Sequence, residues 1–239
     1  KMDPKQDGAG GVPIRSREDF EKLYEASRRG NYPLVRCYSG TRELLKFSKV
    51  LKETINNAWA AIPLMWYSDL DRRSERPLLD AIKENMEAIK WNAENGVPVE
   101  VTDSHQWALR LAHDAVEVAT AYLAAFVAKR LSVREYVEQF MLETPSGISP
   151  RADLAKMIAK RELVESLEDE NFVVYRMTRT GLMSMPADQY SAMGQIAVSM
   201  FYGTLLEPHI IHVVSYCESF KRATAKEIIE SVKIARRAV

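Results

Sequence analysis

The sequence predicts an α/β protein built as a parallel (β/α) barrel of the TIM type, complete or partial, with six of the eight units recognisable. Three observations lead there. Six short strand-like runs alternate strictly with helical stretches, the pattern of βαβ units around a parallel sheet. No G-x-G-x-x-G follows the first run, which removes the strongest sign of an open dinucleotide-binding sheet. The helical stretch at 109–131 is apolar over most of its circumference, as expected of a helix partly enclosed by neighbours.

Taken in order, residues 1–12, KMDPKQDGAGGV, are polar and Gly-rich and read as a flexible tail, leaving 13–239 as the barrel domain. Ser16 and Asp19 form a capping signature for a first helix that ends near Gly30. The six runs are LVRCYS (34–39), AIPLMWY (61–67), VPVEVTD (97–103), QFMLET (139–144), FVVYRMT (172–178) and HIIHVVSY (209–216). Each is followed by a helical pattern, the last being TAKEIIESVKIARRA. The chain stops inside that helix with no Gly or Pro terminator, and the expectation is a fragment or a chain whose last units lie elsewhere.

The totals narrow the function classes. The 239 residues, 46% of them hydrophobic, can bury one large α/β core. The 33 basic side chains balance the 33 acidic ones, so charge gives no reason to expect nucleic acid or an anionic membrane as partner. No apolar run reaches the ~18 residues of a membrane span, and no secretory signal opens the chain. Cys37 and Cys217 are too few for a disulfide framework, and four His without paired spacing make no zinc site. These observations predict a reduced, cytoplasmic protein.

In a barrel, the C-terminal strand ends face the active site. They offer Arg36 and Tyr38; Trp66, Tyr67 and Asp69; Asp103 and His105; Glu143; Arg176 and Arg179; and Tyr216, Glu218 and Lys221. Arginines there suit a substrate carboxylate or phosphate, because the guanidinium fork binds either with two hydrogen bonds. The bland reading is that each Arg simply pairs with a neighbouring Glu. His105 is placed for acid/base work or a cofactor contact; His209 and His212 flank apolar residues, and His113 falls inside a helix. The Ser146-Gly147 loop offers backbone N–H groups to an anion. Glu143 ends its run just before Thr144-Pro145, where the ladder must stop. Arg36, Tyr67, Asp103, Glu143 and Arg176 are expected to converge on one mouth. Glu143 is expected to be ionised there, bonded to an Arg or to the 146–148 N–H groups.

Several segments resemble the large barrel chain of adenosylcobalamin-dependent glutamate (methylaspartate) mutase: PLVRCYSGTRELL (33–45), IPLMWYS, NGVPVEV (95–101), ETPSGISPRADLAKM, SMFYG (199–203) and SYCESFKRATAKE (215–227). The likeness spans roughly 30–239. It implies a carbon-skeleton mutase (isomerase) acting on a small carboxylic or amino acid by radical rearrangement. Adenosylcobalamin would lie across the mouth, and the protein would supply binding, orientation and exclusion of side reactions. No D-x-H-x-x-G is present, so the histidine below cobalt would come from a cobalamin-binding subunit or domain, in an oligomer. On this resemblance Glu143, Asp103 and Tyr67 are catalytic candidates. Arg36, Arg176, Arg179 and Tyr216 would bind substrate, and His105, Trp66 and Lys221 the cofactor. Two positions depart from the family: Ala58 stands where it has a catalytic Glu, and Ser215 where it has a Lys. The alternative reading is a non-catalytic scaffold subunit, or a cobalamin-independent barrel enzyme of small carboxylates.

Overall fold

The computed structural model describes residues 14, 16–38 and 42–239; the expected tail at 1–12 and Ser39 of the first run lie outside them. Five parallel strands form one open sheet in sequence order: β1 (Ala60–Ile62), β2 (Val99–Val101), β3 (Glu135–Leu142), β4 (Val173–Thr180) and β5 (Ile210–His212). The first predicted run joins as a sixth parallel segment, through a bridge of Tyr38 to Ala61 and a bond from the Ala58 N–H to the Val35 carbonyl. All six runs therefore lie side by side in the predicted order.

The strand limits differ from expectation for local reasons. Pro63 lacks an N–H, so β1 stops at Ile62 and Leu64–Tyr67 leave the sheet. Asp103, expected at a strand end, instead opens the short helix α4 (Asp103–Ala108). In the other direction β3 begins four residues earlier than predicted, because Glu135, Glu138 and Gln139 interrupt the apolar pattern without interrupting the ladder.

The remaining helices are α1 (Arg17–Ser27), α2 (Leu44–Thr54), α3 (Leu78–Glu94), α5 (Asp114–Arg130), α6 (Pro150–Glu165), α7 (Gln189–Gly203) and α8 (Ala225–Ala238). Their starts follow capping chemistry. Ser149 accepts from the Ala152 N–H with Pro150 in the first turn, and Thr224 with Glu227 forms a capping box. His113 is not within a helix: its Nδ1 caps α5 by accepting from the Ala115 N–H.

Right-handed crossovers between sequential parallel strands put their helices on one face, and α3, α5, α6 and α7 pack on β1 to β4. Ala60, Ile62, Val99, Val101, Tyr136 and Val174 point into that layer, meeting Ala121, Ala124, Ala125 and Ala128 of α5. Those small side chains explain the even hydropathy of α5, whose alanines allow close approach to the sheet.

The opposite face carries the other half of each strand. Register places Tyr38, Ala61, Glu100, Val137 and Tyr175 in one row, then Gln139 and Met177 with Ile210, then Met141 and Arg179 with His212. The crossover helices pack on the other face, yet Glu100, Gln139, Met141 and Met177 are buried. In a flat sheet the Arg36 segment and β5 would lie five spacings, ~24 Å, apart. The burial of Glu100, Gln139, Met141 and Met177 shows the open sheet curving about this face, and the Arg36 charge is felt as far as His212.

Candidate functional site

The curl gathers polar side chains from five segments on the concave face. Arg36 donates to Glu100 Oε2 at 2.6 Å, and Trp59 Nε1 donates to the same oxygen at 2.8 Å. Glu100 is 1% exposed, and its other oxygen has no hydrogen-bond partner among the described residues. The same holds for Arg36 Nε, His105 Nδ1 and Gln139 Nε2. Buried polar groups are nearly always satisfied, and these four atoms are left open to a polar partner.

Charge points to what that is. Arg179 is 9% exposed and makes no ion pair among the described residues; its Nε reaches only the Thr180 carbonyl, at 3.4 Å. Burial pulls its pKa down to about 10, against the pull of Glu100 and Glu218 and with help from Arg36. His212 is pushed down to about 3, first by burial and then by the Arg179 and Arg36 guanidiniums. His105 is likewise held well below the usual range by burial, Arg179, Lys160, Arg36 and His212. Both imidazoles are neutral at pH 7. With Glu100 paired to Arg36, Arg179 keeps only the longer-range pull of Glu100 and Glu218 and no ion pair among the described residues, and an anion beside it would relieve its burial. The neutral imidazoles could take up a proton as an anion arrives.

Of the sequence candidates, Arg36 and Arg179 share this face, His105 is buried and feels both of their charges, and Tyr67 reaches Arg36 through Tyr38. Tyr67 takes a left-handed backbone (φ 61°), and its hydroxyl is 3.1 Å from that of Tyr38. The other candidates lie elsewhere. Asp103 is fully buried and accepts the Leu64 and Met65 N–H groups, tying the loop after β1 to β2; burial raises its pKa to about 7. Arg176 sits on the helix face, 2.5 Å from Glu165 and 2.8 Å from the Glu207 carbonyl, which is the bland ion pair. Tyr216 packs in the core near α8 and donates to Glu230 at 2.7 Å.

The corrinoid candidates share no surface. Trp66 is 1% exposed, edge-on to Trp107 and covered by Arg110; Lys221 pairs with Glu227 at 2.8 Å; His105 is buried on the concave face. These three do not fit a corrinoid. Ala58 serves the backbone pairing of the first segment, and the Ser215 hydroxyl lies 3.2 Å from Cys217 Sγ.

Glu143 corrects its expectation most fully. Its carboxylate accepts from Thr180 Oγ1 at 2.7 Å and Ser199 Oγ at 2.8 Å, turned toward α7 and away from the concave arginines. Its backbone N–H donates to Asp153. With no guanidinium beside it, burial dominates and the carboxyl pKa is raised, against the two hydroxyl bonds.

Sequence reasoning passed over Glu100 and Gln139 and set His212 aside. The signal for Glu100 was present: a lone acid between valines in VPVEV, at the alternate position of a strand buried on both faces. A second buried cluster fills the helix side. Lys160 lies 2.7 Å from Glu138 and 2.8 Å from Ser104 Oγ, and Lys156 lies 2.8 Å from Glu117. Closed to solvent, it is a structural network.

The described residues contain no group of three His, Cys, Asp or Glu arranged for a metal ion, and no helix long and apolar enough to cross a membrane. The chain matches no family model and no curated protein. What fold and site define is a class: a parallel α/β protein with buried, partly unpaired polar and cationic side chains on one face of its sheet.

Proposed function

We propose that the chain forms a (β/α)-barrel domain that binds a small carboxylic or amino acid on its concave face. The observation that carries this reading is Arg179, a buried guanidinium with no ion-pair partner among the described residues, on the same face of the sheet as Arg36, whose Nε is also without a partner there. A carboxylate between them would gain charge-assisted hydrogen bonds from two planar donors. Gln139 and His105 would complete its contacts, and the free Glu100 oxygen suits an ammonium or hydroxyl of the same molecule.

The resemblance to glutamate mutase adds a reaction class, radical rearrangement, with adenosylcobalamin held on a partner subunit of an oligomer. The alternative, a cobalamin-independent enzyme of small carboxylates, is favoured by the placement of Trp66 and Lys221, both engaged within the chain.

Calorimetric titration with small mono- and dicarboxylates and amino acids tests the binding. At least one should bind saturably and lose about tenfold or more in affinity, ~1.4 kcal/mol, in Arg179→Gln. Absence of binding by the whole series sinks the proposal. Adding adenosylcobalamin and a cobalamin-binding subunit separates the two chemistries: a shifted corrinoid spectrum or co-elution supports the mutase, and no interaction supports the alternative.

A further inference from the structure

A second cationic feature lies outside the concave face, on the loop that follows β1. Arg42, Asp69, Arg72, Arg73, Ser74 and Glu75 line a cleft of about 470 Å³, and an adjoining cleft of about 340 Å³ shares Arg42, Arg73 and Ser74 and reaches Tyr67. The three arginines are used differently. Arg73 is committed: it pairs with Asp71 at 2.5 Å, donates to Gln106 at 3.2 Å and stacks 3.9 Å over the Tyr67 ring. Among the described residues Arg42 has the Ser74 hydroxyl alone, at 3.3 and 3.4 Å from two of its nitrogens. Arg72 sits in a left-handed backbone conformation (φ 59°) and has no hydrogen bond or ion pair among the described residues. Asp69 and Glu75 border the cleft, and Glu43 the adjoining one, without pairing with Arg42 or Arg72, so among the described residues these guanidiniums are not spent on ion pairs. Ser74 Oγ, which also accepts the Arg76 N–H at 3.2 Å, fixes the loop around them.

The cleft also connects inward. Arg73 covers Tyr67, Tyr67 bonds Tyr38 at 3.1 Å, and Arg36 lies 5.5 Å from the Tyr38 ring centroid. Cation and aromatic rings thus alternate from the rim to the concave arginines.

We propose that this rim cleft is an anion subsite for a phosphoryl group, held by the Arg42 and Arg72 forks and the Ser74 hydroxyl. A phosphoryl group fits better than a carboxylate because it offers three acceptor oxygens to donors arriving from separate directions. The subsite stands on its own residues and does not need the concave face to bind anything.

Inorganic phosphate and pyrophosphate are the probes, titrated into Arg179→Gln so that the concave face does not contribute. That protein should still bind one of them saturably, and adding Arg42→Gln with Arg72→Gln should weaken binding about tenfold or more, ~1.4 kcal/mol, with an unchanged melting temperature. Equal affinity with and without the two rim substitutions overturns the inference, as does absence of saturable binding up to ~10 mM, the weak end of specific affinities. Should the combined variant not fold, the Nε–Hε resonances of Arg42 and Arg72 in the natural protein decide: phosphate must move them. Phosphate binding that vanishes with Arg179→Gln alone would locate the anion on the concave face and refute the rim subsite while supporting the proposed function.

Discussion

At the scale of single residues, binding and stability are opposed in Arg179. A buried cation without a paired counter-charge carries a desolvation penalty in the ligand-free protein, which an arriving anion offsets. Arg179→Gln should therefore melt no lower than the natural protein, while losing the anion affinity described above. A thermal shift series with and without ligand reads both effects. Glu143 gives the opposite lesson. Thr180 and Ser199 donate to it, so Glu143→Gln keeps an acceptor oxygen and should change stability little near neutral pH. Glu143→Ala leaves two hydroxyls beside an empty space and should cost about 1–3 kcal/mol by denaturant unfolding. The sign of the pH effect follows from the raised folded pKa of Glu143. The contribution of its protonated form is fully present below the unfolded value, ~4.3, and is lost as pH rises through the folded value. Relative to the natural protein, Glu143→Gln should gain stability as pH climbs through that window.

At the scale of elements, the sequence was legible where apolar period and turn chemistry agree. All six strand runs and the helices between them stand in the predicted order, because Pro, Gly and capping residues punctuate the chain at nearly every junction. Side-chain direction was harder to read. A strand end was expected to present its last residue to the mouth, but direction alternates along a strand, so a one-residue difference moves a side chain to the other face. Arg179 and Arg176 differ by three positions and face opposite layers; Glu143, just past Leu142, turns back toward α7. Gly181 shows how tightly that junction is built. A Cβ there would stand 2.4 Å from Thr144 Oγ1 and 2.6 Å from the Leu142 carbonyl. Gly181→Ala must push β3 and β4 apart and should destabilise by about 1–3 kcal/mol, as overpacking does. Calorimetric unfolding checks it, and an unchanged melting temperature would mean that the two strand ends separate freely.

Across the whole molecule, the curled sheet concentrates positive charge on one face, and acid should find that weakness first. His212 and His105 are neutral when folded, with Arg36 and Arg179 close by. In the unfolded chain each titrates near ~6.5. A depressed folded pKa means that the unfolded state binds more protons between the two values. The contribution of neutral His212 is thus complete above ~6.5 and is lost as pH falls toward its folded value of about 3. Asp103, raised to about 7 by burial, works the other way: its contribution is present in acid and lost as pH rises. The melting temperature of the natural protein is a sum of both trends, and a difference curve against His212→Asn separates them. That variant cannot take up the proton, so the difference should be flat above about pH 7 and close progressively below ~6.5. An anion on the concave face should shrink the effect, because its charge opposes that of Arg36 and Arg179 and lets His212 protonate in the folded state. The measurement is melting temperature against pH for both proteins, with and without the tightest-binding carboxylate. Identical slopes for the two proteins would mean that His212 does not face the arginines, and the curled concave site would lose its electrostatic basis.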